Sequence, residues 1–122
     1  MSLLKPTPGE VMDRIAIVKL KISAYHKAGR DSLALYRESR ELTRHLEKFP
    51  VFASDSKLSR KLSETHRKLW KAENDVRIPN ANMWQIADAA QRISRLNDTR
   101  CQLIRQIDQN YGVETIEEKI YG

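Results

Sequence analysis

Acidic side chains one helical turn apart are the first chemistry this sequence offers. Glu10 and Asp13 are spaced i and i+3, and so are Glu38 and Glu41. Facing helices use such pairs to hold magnesium against a nucleotide's phosphates. Both pairs also have simpler readings. Glu10 and Asp13 open a helix, where acids satisfy free N–H groups and the macrodipole. Glu38 and Glu41 alternate with Arg37, Arg40 and Arg44 and read as surface ion pairs. Metal sites in helical bundles commonly use Glu-x-x-His. No Glu here precedes His by three residues, and His26, His45 and His66 fall on three different predicted helices. Neither a metal nor a cofactor is expected.

A second constellation lies where polar residues interrupt an apolar stripe. Asn97 and Arg100 occupy successive inward positions of the longest predicted helix. An unpaired buried guanidinium costs several kcal/mol, so an acid must reach Arg100, with Glu38 or Glu41 at a suitable level. On the preceding helix His66, Trp70, Glu73 and Arg77 form a polar line, with Glu73 and Arg77 in the favoured i, i+4 order. Three uses suggest themselves: a polar layer that sets helix register, a small anionic pocket, or an interface with another subunit. In the second, Arg77 and Arg100 hold a phosphorylated or carboxylated ligand, beside Asn97, with Glu73 or Asp98 as acid or base. No catalytic residue declares itself. The lone Cys101, next to Leu103 and Ile104, is expected to be a buried, inert thiol.

Four helices must position these groups. Thr7-Pro8-Gly9-Glu10 reads as an N-cap, a proline at the first helical position and a capping box. Val11, Ile15, Val18, Ile22 and Tyr25 then line one face up to Gly29, giving a helix over 8–29. Asp31 or Ser32 caps a second helix over 31–49, with Leu35, Leu42, Leu46 and Phe49 inward until Pro50 stops it. Val51-Phe52-Ala53 is expected to plug one bundle end. Ser54 or Asp55 caps a third helix over 55–77, with Leu58, Leu62, Thr65, Leu69 and Val76 inward and Lys57, Lys61, Lys68 and Lys71 opposite. The fourth, over 82–110, places Ile86, Ala90, Ile93, Asn97, Arg100, Ile104, Ile107 and Tyr111 on one face before Gly112 ends it. Short connections make neighbours antiparallel. The expected fold is all-α: a single domain over 1–122, an antiparallel four-helix bundle with a short C-terminal tail, 113–122.

Composition narrows the function classes. Hydrophobic residues at 40% and charged residues at 31% suit a folded helical chain. The longest uncharged apolar stretch, Ile15 to Val18, is far short of the ~20 residues a spanning helix needs, and no signal-peptide pattern opens the sequence. A cytoplasmic protein without a membrane span is expected. The net charge of +6 is uneven, since Glu114, Glu117 and Glu118 against Lys119 leave 113–122 acidic and the rest basic. Lys57, Arg60, Lys61, Arg67, Lys68 and Lys71 make one helix face cationic. Without aromatic stacking partners or a recognised reading helix, a solvated face is favoured over RNA or DNA binding.

Four short motifs occur in order: Gly9-Glu10-Val11-Met12-Asp13-Arg14-Ile15, Leu69-Trp70-Lys71-Ala72-Glu73-Asn74-Asp75-Val76-Arg77, Asn97-Asp98-Thr99-Arg100 and Glu117-Glu118-Lys119-Ile120-Tyr121. Together they resemble an uncharacterised bacterial family of small all-helical domains of unknown function, sometimes associated with surface-polysaccharide synthesis. The resemblance implies no reaction. It adds Glu10, Asp13, Arg14, Trp70, Glu117, Glu118 and Lys119 as motif-matched positions beside Glu73, Arg77, Asn97, Asp98 and Arg100. At His66 and Asn74 the chain departs from the family pattern, which has Asn and Asp there. The reading that emerges is a non-enzymatic helical interaction module acting on itself or another protein. Its rivals are a binder or enzyme for a small anionic ligand, and a nucleic-acid binder.

Overall fold

A computed structural model describes residues 6–49 and 55–112 of the chain. Four helices follow in order: α1 (Pro8–Lys27), α2 (Leu33–Leu46), α3 (Asp55–Val76) and α4 (Met83–Asn110). No strand occurs among the described residues. The plug 51–53 and the segment 113–122, with Glu117, Glu118 and Lys119, lie outside them.

Local chemistry fixes the helix ends. The Thr7 hydroxyl accepts from the Glu10 N–H, and the Glu10 carboxylate accepts from the Thr7 N–H, closing the expected capping box ahead of Pro8. Asn82 and Gln85 make the same reciprocal pair at the start of α4. Ser32 occupies the N-cap of α2 without a side-chain cap, and the Asp31 carboxylate accepts from the Leu33 N–H instead. Gly29 and Gly112 sit at positive φ, 67° and 69°, just past α1 and α4. That left-handed turn costs other residues a Cβ clash.

α1 packs against each of the other three helices, and α3 packs along α4. Met12, Ala16, Leu58, Leu62, Leu103 and Ile107 make the buried cluster, with Leu46, Ile104 and Tyr111 half-buried against it. Removing a group such as Leu62, fully buried, would cost about 2–5 kcal/mol. α2 is the outlier. It contributes no buried residue and approaches α1 alone among the described helices. Among the described residues the bundle is therefore closed around α1, α3 and α4, and α2 does not touch α3.

The far half of α4 departs from its expected stripe. Ile86 and Ala90 were expected inward, yet Ile86 is 40% exposed and Ala90 is exposed, while Ala89 is fully buried. Length explains this. At 1.5 Å per residue, α1 spans about 30 Å and α4 about 42 Å. The end of α4 is bonded to the start of α1 through Asp108. The roughly 12 Å difference, about two turns from Met83 to Ala90, is left beyond the reach of α1, and only the side of α4 on α3 is covered there.

Candidate functional site

Three helices each send one polar side chain to the same place. Asp13 comes from the second turn of α1, between the buried Met12 and Ala16. His66 stands between Leu62 and Leu69 on the inner arc of α3, and Arg100 comes from the middle of α4. The Arg100 guanidinium donates from Nε to Asp13 Oδ1 at 2.9 Å and from Nη2 to Oδ2 at 2.7 Å, a bidentate fork. His66 Nε2 lies 2.6 Å from Asp13 Oδ1.

Electrostatics fix who carries the proton. Burial pushes the Asp13 carboxyl pKa up, but hydrogen bonds from His66 and Arg100, with their charges, outweigh it and hold the group below its ordinary value. An ionised carboxylate only accepts, so His66 presents Nε2–H toward it. The Arg100 guanidinium is held protonated by its hydrogen bonds to Asp13, against the opposing effect of burial, and Asp13 and Glu73 add negative charge. The imidazole and carboxylate side chains are each 7% exposed and Arg100 is 35% exposed. Asp13 is thus saturated by its neighbours and poorly placed to act as a base. The described residues hold no group of three His, Cys, Asp or Glu suited to a metal ion.

The acid that reaches Arg100 is therefore Asp13, not Glu38 or Glu41. Glu38 instead pairs with Arg14 across the exposed α1–α2 seam, Nη2 to Oε1 at 2.8 Å. Of the first acidic pair, Glu10 does cap the helix, while Asp13 turns inward and spends its charge on α3 and α4. Among the other candidates Asn97 and Trp70 are half-buried, and Glu73, Arg77 and Asp98 are exposed. Glu73 joins the cluster through its charge; Arg77 and Asp98 are not among the groups bonded to Asp13. Cys101 is exposed rather than buried. One residue past Arg100 it is rotated about 100° off the inward arc that Leu103, Ile104 and Ile107 define.

A second buried carboxylate carries no signal of its own in the motifs. Asp108, fully buried, accepts from the Thr7 hydroxyl at 2.8 Å and from the Gly9 N–H at 2.7 Å, tying the last turn of α4 to the first of α1. A free N–H at the start of α1 thereby receives an acceptor from another helix. Gly9 is needed for this approach, because a Cβ there would stand 2.5 Å from the Ile104 carbonyl oxygen and 2.8 Å from Asp108 Oδ1. The available hint was spacing: Asp108 falls four residues after Ile104, on the same side of α4.

A model of the family described as "Protein of unknown function (DUF4254)" matches residues 56–119, more than half of the chain. The chain belongs to this family. The match covers α3, α4 and residues just beyond, so it includes His66 and Arg100 of the DUF4254 chain, whereas Asp13, their shared partner, lies before it. No curated protein and no solved structure matches the chain. No helix among the described residues is long and apolar enough to cross a membrane.

Proposed function

We propose that this DUF4254 chain is a non-enzymatic helical module that acts by protein contact, pairing with a second copy of itself through the first turns of α4. One observation carries the reading. Met83 is 86% exposed and Trp84 85%, at the start of a helix whose next apolar residue, Ile86, is 40% exposed, with Ile78 of the preceding turn 52% exposed. Large apolar side chains gathered at one end of a small domain mark a contact surface, and tryptophan is the residue most enriched among those that dominate binding energy. Ala87 and Ala90, exposed on the same two turns, leave room for a neighbouring helix to come close.

The anion-binding reading is less well supported, because the Nε/Nη2 edge of Arg100 and its charge are already engaged by Asp13, which leaves a ligand only the Nη1 side. The cations of α3, all exposed, are what a solvated face also presents. Sedimentation velocity from about 1 to 200 µM tests the proposal. A concentration-dependent dimer that Trp84→Ala and Met83→Ser weaken at least tenfold, without lowering Tm, is the expected result. A monomer over the whole range, with unshifted Trp emission, would sink it.

A further inference from the structure

Two cations and two serines meet between α1 and α3. The cavity there, of about 270 Å³, is lined by Ala16, Lys19, Leu20 and Ser23 of α1 and by Ser63 and Arg67 of α3. Each helix supplies the same pair, a cation and a serine four residues apart, which places both on one side of its cylinder. Ala16 belongs to the buried core, Leu20 and Ser63 are half-buried, and Lys19, Ser23 and Arg67 are exposed, so the cleft runs from the surface down to apolar packing. Among the described residues no carboxylate lines it or bonds Lys19 or Arg67, although Glu64 stands three residues before Arg67. Arg14, Arg92 and Arg100, by contrast, each meet a carboxylate of another helix, Glu38, Asp75 and Asp13. The two hydroxyls are uncommitted as well. Thr43, Thr65 and Thr99 turn theirs back onto the carbonyl four residues earlier, a bond that Ser23 and Ser63 do not make.

We infer that this cleft binds the phosphate group of a small phosphomonoester. Two positive charges beside two hydroxyl donors match an anion with about two charges and several acceptor oxygens. A phosphomonoester carries about −1.5 to −2 charges at pH 7 and three strong acceptor oxygens. A carboxylate or a phosphodiester brings a single charge. Arg67 offers a planar fork for two of those oxygens, Lys19 a point charge, and Ser23 and Ser63 one O–H donor each. Volume limits the ligand. Pockets that enclose whole small molecules run from about 300 to 1,000 Å³, so 270 Å³ takes the phosphate and the first atoms attached to it, with Ala16 and Leu20 against the apolar ones. Position separates the site from the cationic face of α3. Arg67 follows Ser63 by one turn at the edge toward α1, whereas Lys57, Lys61 and Lys68 stand on the arc opposite the inward stripe. It is separate from Arg100 too, whose charge Asp13 engages.

Titration of the full 122-residue chain with glycerol phosphate, followed by ¹H–¹⁵N NMR at fixed ionic strength in chloride, tests the assignment. Saturable shifts centred on the amides of Lys19, Ser23, Ser63 and Arg67 and on the Arg67 side-chain Nε–H are expected. Arg67→Gln and Lys19→Gln, both at exposed positions, are each expected to weaken binding about fivefold, and Ser63→Ala about threefold. Lys57→Gln with Lys68→Gln, which removes two charges from the outer arc of α3, is expected to change it less than about twofold. Dimethyl phosphate, a monoanion of similar size, is expected to bind at least about fivefold more weakly. Shifts that stay linear in ligand concentration, or that spread evenly over the lysines of α3, would overturn the inference. So would equal weakening by the outer-arc pair or equal affinity for dimethyl phosphate, either of which would make the response that of a general cationic surface.

Discussion

Replacing Asp13 with Asn removes the charge on which α1, α3 and α4 converge while keeping the side chain's shape. The carboxylate accepts three hydrogen bonds, at 2.6, 2.7 and 2.9 Å, each from a charged or strongly polar donor. The amide retains one acceptor and turns an N–H₂ toward one of the remaining donors. Removing one partner of a fully buried ion pair costs about 3–5 kcal/mol. Arg100 is 35% exposed and water can re-solvate it, which brings the expected loss to roughly 2–3 kcal/mol. For a chain of this size that is a fall in Tm of about 10 °C. Asp13 titrates below its ordinary value of 3.8. Its stabilisation is therefore complete above pH 3.8 and is lost as pH falls through the lower folded value. Below that point the protonated acid is nearly isosteric with the amide, so the two proteins converge. Urea unfolding followed by circular dichroism, at pH 5 and then in steps of falling pH below 3.8, measures both effects. A cycle with Arg100→Gln adds the coupling, expected at about 1–3 kcal/mol. A difference under about 1 kcal/mol at pH 5, additivity in the cycle, or a gap that does not narrow as the pH falls below 3.8 would refute the argument that this carboxylate locks three helices together.

Gly9→Ala is expected to destabilise by about 2–3 kcal/mol in the same assay, since its Cβ meets backbone and a buried carboxylate. Gly29→Ala, at positive φ but with nothing within 4 Å, is expected to cost only about 1 kcal/mol; equal losses at the two sites would contradict the close approach of α1 and α4. Cys101, being exposed, is expected to react with one equivalent of Ellman's reagent in the folded protein within minutes. Reaction only after denaturant is added would place the thiol inside instead.

Much of the fold was legible because helix signals are local. Thr7 through Glu10 cap a helix through atoms three residues apart, Gly29 and Gly112 stop helices by their own backbone freedom, and the stripe from Leu58 to Leu69 repeats with the helical period. The exposure of Ile86 and Ala90 was not legible, because the period of α4 continues unchanged past the point where α1 runs out. Cys101 misled for a related reason: apolar neighbours in sequence lie on a different side of the cylinder.

The sequence by itself determined that Arg100 sits on an inward arc and needs an acid, and that a polar middle exists. It did not say which acid. Asp13 and Arg100 are 87 residues apart, Thr7 and Asp108 101 apart, and nothing in either local pattern encodes the other. Only the tertiary structure decided the pairing, by the relative height and rotation of α1 against α4, which the bond from Asp108 to the start of α1 anchors. The same packing set α2 on α1 and, among the described helices, on no other. Periodicity says which face of a helix is buried, but the packing of one helix on another decides what that face meets.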